Sequence, residues 1–270
     1  MFDLHVISLQ RSNRRETIAA VLGEHGVAFR IEDALDARTL TDAQFEQLYD
    51  DRAARERYGR SMTRAEVACF LSHRSVWKRI ADSGRAAVVL EDDATFDAPF
   101  FDNFLHVREC DLSRIADIVQ LGRSKLRRQS AASVAVREPL RRATSISGMR
   151  VGFPFKQWTS GAVGYWMTAQ AAQRALEHTV GRVTALLDDW PFHRDEIGLR
   201  VAELRPYLVW EAFETMPSSI EAERSARTRK RSVLRRALLA PMQSARTTMR
   251  WLVVLALHLG GNAQAEVRHE

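Results

Sequence analysis

The 270-residue chain has only two cysteines, Cys69 and Cys110, far apart and without Cys-x-x-Cys or Cys/His spacing. That scarcity argues against a disulfide framework and a structural zinc site, and it fits a reducing compartment. No apolar run approaches the roughly 20 residues that a bilayer span needs. The first thirty residues contain no basic stretch leading into an apolar core and a small-residue cleavage site, so a cytoplasmic protein is expected. A Walker-type Gly-x-x-x-x-Gly-Lys loop is missing too, which places metal-dependent phosphotransferases and phosphatases last among the enzyme classes. Disorder is excluded by 46% apolar side chains against 27% charged ones, enough for one substantial core.

The net charge of +6 suggests a nucleic-acid partner until it is located. The last fifty residues hold ten of the 40 Lys/Arg and four of the 34 Asp/Glu, which leaves thirty of each in residues 1–220. The body is therefore neutral. The basic tail contains one aromatic residue, Trp251, and so lacks the stacking platform of a nucleic-acid binder. Two domains are expected: a body over 1–220 and a basic, amphipathic helical tail over 221–270. The tail's apolar end, Trp251–Leu257, follows the basic stretch Arg224–Arg236. Such a helix suits an anionic membrane surface, or else packs on the protein itself or on a second subunit.

Along the body, His5–Leu9 reads as a short buried strand, followed by polar residues and a helix to about Leu22. A second strand is expected at Ala28–Glu32, and a polar helical stretch over Leu40–Arg60. Thr63-Arg64-Ala65-Glu66 has the Thr-x-x-Glu spacing of a capping box, and helical periodicity continues to Gly84. Cys69 is read as a small buried hydrophobe on that helix. Ala86–Leu90 is a continuous apolar run, as in a strand buried on both faces. Ile118–Leu121 is a further strand, Arg123–Arg150 a surface excursion without periodicity, and Gly161–Met167 a strand before a helix capped by Thr168. Alternating strands and helices point to α/β layers.

The buried run ends at Glu91-Asp92-Asp93. Three adjacent carboxylates repel one another and are costly to desolvate, and a divalent cation removes that cost. All-oxygen ligands suit Mg²⁺ or Mn²⁺, and open α/β sheets place ligands at the C-terminal ends of their strands. A solvated acidic turn is the alternative, and the triplet alone does not choose.

The neighbouring motifs do. His5-Val6-Ile7-Ser8-Leu9-Gln10-Arg11-Ser12 with Arg14-Arg15, then Thr63-x-x-Glu66-Val67-Ala68-Cys69-x-x-Ser72-His73-x-x-x-Trp77, Val89-Leu90-Glu91-Asp92-Asp93-Ala94 and Gly161-Ala162-Val163-Gly164-Tyr165 resemble, in order and spacing, glycosyltransferase family 25, the lipooligosaccharide glycosyltransferases. The resemblance covers about residues 4–220. It implies a GT-A-like nucleotide-sugar-binding α/β fold with a mixed, mainly parallel central sheet flanked by helices. It also implies inverting transfer of galactose or glucose from a UDP-sugar to a lipooligosaccharide or related glycan or glycolipid, with Mn²⁺ (or Mg²⁺) as cofactor.

By the same resemblance Glu91 and Asp93 are metal ligands, and Asp92 helps by direct or water-mediated contact. Ser8, Arg11, Arg15, Glu66 and His73 lie on the nucleotide side, and Arg14 could face it as well. Each arginine has a plainer reading as part of an exposed basic helix start, Glu66 as the capping-box residue and His73 as a packed histidine. Inversion needs a base for the acceptor hydroxyl, and Asp188 or Asp189 is the candidate; Asp189 could instead cap the helix that starts at Trp190-Pro191, and Trp190 could stack on a sugar. The competing expectation is a catalytically silent relative that binds glycans or assembles enzymes at the cytoplasmic face of the inner membrane through the tail.

Overall fold

The described residues of the computed structural model are 2–157, 161–212 and 233–266, with side chains left aside at 233–242 and 260–266. The expected body–tail boundary at 220/221 and most of Arg224–Arg236 lie outside them.

An eight-stranded sheet forms the centre, in the order β2 (Arg30–Asp33), β1 (Asp3–Ser8), β3 (Ala87–Glu91), β8 (Gly164–Met167), β5 (Ile118–Gln120), β9 (Val201–Arg205), β7 (Met149–Pro154), β6 (Leu140–Ile146). Only β8 and β7 run against the other strands, so the sheet is mixed and mainly parallel in direction. A small antiparallel ribbon pairs β4 (Ala94–Phe96) with β10 (Val209–Glu211) beyond the end of β3. Side chains alternate across β3: Val88 and Leu90 join one core with Leu4, Phe104 and Trp166, while Ala87 and Val89 join a second with Phe70, Trp77 and Tyr165. That double burial explains the unbroken apolar run. The helix-flanked sheet is the GT-A-like α/β layer arrangement that the motifs implied.

On one flank, α1 (Asn13–Glu24) is capped by Ser12. The charged stretch that read as one helix is two, α2 (Asp42–Leu48) and α3 (Asp51–Tyr58). The break has a local cause: Tyr49 is extended and bridges Val183, and the Asp50 side chain accepts the Ala53 N–H to cap the second helix. Helix α4 (Arg64–Ser83) carries the expected capping box, with Thr63 and Glu66 bonding reciprocally, and stops at Gly84 in the left-handed region. Short helices α5 (Pro99–Asp102), α6 (Glu109–Ser113) and α7 (Ala131–Arg137) lead to α8 (Ala169–His178), which packs on α4 and is capped by Thr168, and to α9 (Trp190–Asp195).

The expected surface excursion Arg123–Arg150 is more ordered than its sequence suggested. It contains α7, all of β6 and the start of β7, joined at Ser147 (φ 46) and Gly148 (φ 77), the two consecutive positive φ values of a tight hairpin turn. Strand β6 is an edge strand whose side chains are exposed or half-buried except Leu140, and its polar run Arg141–Ser145 carries no apolar alternation. The C-terminal helix, Val233–Glu266, lies against this hairpin and α7: the Trp251 indole N–H donates to the Val136 carbonyl at 2.8 Å, and Arg250 donates to the Arg137 carbonyl at 3.1 Å. Leu252, Leu255 and Leu259 on it are exposed. Among the described residues no helix is long and apolar enough to cross a membrane.

Candidate active site

The parallel pairing of β1 and β3 sets Ile7 opposite Glu91, so the turn after each strand opens on the same end of the sheet. There the Ser8 and Ser12 hydroxyls both donate to Asp92 Oδ2, at 2.7 and 2.9 Å. Ser12 also accepts the Arg14 N–H, which ties the helix cap to the acidic turn. The Arg14 guanidinium reaches Asp93 Oδ2 at 3.2 Å and Asp92 Oδ1 at 3.6 Å. Asp92 is thus an anchored strut, and Arg14 lies beside the acidic turn.

Two further carboxylates converge from distant sequence. The β4–β10 ribbon places Glu211 opposite Ala94, and the Ala212 N–H donates to the Asp93 carbonyl at 2.9 Å. The backbone N–H of Lys125 holds Glu211 Oε2 at 2.9 Å. Asp188 accepts the Gly161 N–H at 3.1 Å. Gly161 is required here, because it sits at φ +92 and a Cβ would lie 2.4 Å from the Ser124 nitrogen. Gly164 is equally confined: its Cβ would lie 2.8 Å from Val209 Cγ1 on β10.

The electrostatic result is a cluster with surplus negative charge. Burial pushes Glu91 up to about 8, and the charges of Glu211, Asp188 and Asp92 push the same way, against a weaker pull from Arg14. Asp93 is also raised to about 8, first by burial and then by Glu91 and Glu211. Glu91 nonetheless keeps an open tip, with its side chain 29% exposed, while Asp93 Oδ1 is buried without a hydrogen-bond partner. A buried acceptor with nothing to accept is costly. A divalent cation at Asp93 Oδ1 would satisfy that oxygen and offset the repulsion from Glu91 and Glu211, so the orphaned acceptor and the surplus negative charge fit the expected metal.

Residues 1–189 match the sequence profile of "Glycosyltransferase family 25 (LPS biosynthesis protein)". The chain belongs to glycosyltransferase family 25. Over 179 residues it is 30% identical to "Procollagen galactosyltransferase 1" of Danio rerio, a match covering 62% of this chain and 27% of that protein. "Procollagen galactosyltransferase 2" of Homo sapiens is 27% identical over 181 residues, 64% of this chain and 27% of that protein. A third relative, "Probable inactive glycosyltransferase 25 family member 3" of Rattus norvegicus, is 34% identical over 143 residues, 49% of this chain and 24% of its own length. The matches span about a quarter of the length of these relatives.

The family 25 motif residues occupy distinct places. His73 is buried, with Nδ1 3.0 Å from the Tyr165 hydroxyl and Nε2 3.6 Å from Glu91 Oε1; burial lowers it to about 3, so it is neutral. Glu66, on the same helix, is bound by its own cap and by Arg60 through two bonds of 2.7 and 2.9 Å. Arg15 donates to the Ser8 carbonyl at 3.0 Å and pairs with Asp33 at the end of β2, whereas Arg11 is exposed on the turn.

The two aspartates differ. Asp189 caps α9 by accepting the Phe192 N–H at 3.3 Å and accepts the Tyr58 hydroxyl at 2.8 Å. Asp188 contributes to the field at Glu91. Trp190 is not available to stack on a sugar: it is 2% exposed, packs edge-on to Tyr165 and donates to the Gly161 carbonyl at 3.1 Å. Cys69, read as buried, is half-buried. Glu211 escaped the sequence reading altogether; the one signal it offers is a short apolar strand ending in an acid, Val209-Trp210-Glu211, as β3 does.

Proposed function

We propose that this chain is a metal-dependent, inverting hexosyltransferase that moves galactose or glucose from a UDP-sugar to a lipooligosaccharide or related cell-surface glycan. One observation carries the reading: the buried Asp93, whose Oδ1 lacks a hydrogen-bond partner, lies in the negative field of the half-buried Glu91 and Glu211. Glu91 and Asp93 would hold Mn²⁺ or Mg²⁺, which when bound supplies Lewis-acid stabilisation to the departing diphosphate. Ser8 and Ser12 keep Asp92 turned toward β1, and Arg14 adds positive charge beside the diphosphate position. Asp188 takes the proton from the acceptor hydroxyl. Asp189 is unsuited to that role, since capping α9 and binding Tyr58 occupy both of its oxygens.

The galactosyltransferase names of two relatives favour galactose as the sugar, and the family's description favours a lipopolysaccharide-type acceptor. The exposed leucines of the C-terminal helix, next to a basic stretch, favour peripheral contact with the cytoplasmic face of the inner membrane and no nucleic-acid partner. The second reading, a catalytically silent glycan-binding relative, is favoured by the inactive relative at 34% identity. Against it stands the cost of keeping buried carboxylates that no structural role requires.

The test is transfer itself. With UDP-galactose or UDP-glucose, Mn²⁺ and a lipooligosaccharide acceptor, magnetic resonance of the product should show an anomeric configuration opposite to that of the donor. Retention of configuration would end the inverting reading; no transfer from either donor would move the chain to the silent one.

A further inference from the structure

Next to the carboxylate cluster lies a group of side chains with a different donor chemistry. Cys69 and His73 are four residues apart on α4, one turn from each other on a single face, and Glu91 approaches from the end of β3. A thiol sulfur, an imidazole nitrogen and a carboxylate oxygen from these three lie within 4.8 Å of one another. His73 Nε2 and Glu91 Oε1 are 3.6 Å apart, too far for a good hydrogen bond. Two neighbouring ligands of a tetrahedral ion with bonds of about 2.0–2.3 Å are spaced by a similar distance.

The second observation is the histidine itself. His73 is 1% exposed, and its Nε2 has no hydrogen-bond partner. Its Nδ1 meets the Tyr165 hydroxyl, which also accepts the Trp77 indole N–H at 2.8 Å. Without an ion the Tyr165 hydroxyl can donate to Nδ1 or accept from it; metal binding selects the tautomer with the proton on Nδ1, in which Nε2 turns a lone pair toward the other two ligands. Ligating histidines are commonly oriented in this way, through the second nitrogen. Glu91 is partly exposed and Cys69 half-buried, so the three ligands are not sealed from solvent.

We propose that Cys69, His73 and Glu91 form a second cation site, for a borderline-soft ion such as Zn²⁺, sharing Glu91 with the carboxylate cluster. Binding releases the thiol proton, and any proton on Glu91, to solvent; no electron moves. The mixed sulfur, nitrogen and oxygen set selects against Mg²⁺ and Mn²⁺, which prefer all-oxygen surroundings. Sequence alone suggested no Cys/His ligand spacing; Cys69 and His73, four apart on α4, supply one once Glu91 joins them from β3. Zn²⁺ that takes Glu91 would compete with the donor-site metal and inhibit transfer; this consequence rests on the proposed function, whereas the site does not.

The experiment uses the metal-free full chain, with Co²⁺ as the spectroscopic probe and Zn²⁺ titrated against a chromogenic chelator. Wild type and Cys110→Ser should bind one Co²⁺ with a sulfur-to-cobalt charge-transfer absorption that Zn²⁺ displaces. Cys69→Ser and Cys69→Ala, checked as folded by circular dichroism, should lose that absorption and bind Zn²⁺ at least roughly tenfold more weakly, while keeping their Mn²⁺-dependent UDP-sugar binding. Absence of the absorption in wild type, or its survival in both Cys69 variants, overturns the site. A wild type that shows the cobalt signature yet binds no UDP-sugar overturns the donor-site reading alone.

Discussion

Glu66 and Asp93 are buried to nearly the same degree, 3% and 7% exposed, yet their surroundings differ completely. Glu66 has a cap to close and a guanidinium to bind, and its bonds to Thr63 and Arg60 hold α4 to the chain before it. Asp93 shares one arginine with Asp92, leaves an oxygen without a partner and sits beside two more acids. The same contrast separates Asp189, committed to capping α9 and to Tyr58, from Asp188, which adds to the negative field at Glu91. Burial of a carboxylate is therefore no mark of function; burial with unmet demand for positive charge is.

That contrast can be broken by exchanging the members of each pair. Asp188→Asn should lower kcat by about 10²–10⁴ while donor affinity stays within a few-fold, because a general base acts only in the transition state; Asp189→Asn, which can still cap, should leave kcat nearly unchanged. Steady-state kinetics of the two variants decides, and equal losses would erase the distinction. Asp93→Ala should weaken Mn²⁺-dependent UDP binding by roughly a hundredfold, as read by calorimetry, since the ion loses a charged ligand.

Smaller effects fall on stability. Glu66→Ala removes the capping box and strands Arg60, a loss of about 2 kcal/mol. The melting temperature should drop by roughly 4–8 °C, with activity retained by the folded fraction; a kinetic defect without a thermal one would move Glu66 to the nucleotide side. Asp93→Asn should do the reverse and raise the metal-free melting temperature by a few degrees. The pH dependence carries the same sign. Glu91 and Asp93 have folded values near 8, above the ordinary carboxylate range, so they stay protonated in the folded state where the unfolded chain has already ionised. The metal-free protein should lose stability as pH rises from about 4 to 8, and Mn²⁺ should restore it at the upper end. A melting profile flat across that range without metal would contradict the raised values.

Much of this was legible before any coordinates. The unbroken apolar run of β3 and the Thr63 capping box each carry a local physical signature and are found in place, whereas the strand expected over Gly161–Met167 begins only at Gly164, since Gly161 is held at positive φ. The hairpin of β6 and β7 did not show, because the edge strand's central run Arg141-Arg142-Ala143-Thr144-Ser145 leaves no apolar alternation to read. Glu211 was invisible for a different reason: only the register of β10 on β4 brings it to the acidic turn, and pairing between distant segments leaves no local pattern. Asp188 and Asp189 could be nominated together but not separated, since what divides them is the Tyr58 hydroxyl and a helix start.

On the proposed function, Glu91 and Asp93, whose negative charge Arg14 only partly offsets, hold a cation against the donor's diphosphate. Electron paramagnetic resonance of Mn²⁺ titrated into the wild-type chain, with and without UDP, tests it most directly. One Mn²⁺ per chain, held much more tightly when UDP is present, is the expected result; UDP-sugar binding of equal strength with and without the ion would contradict a metal-held diphosphate.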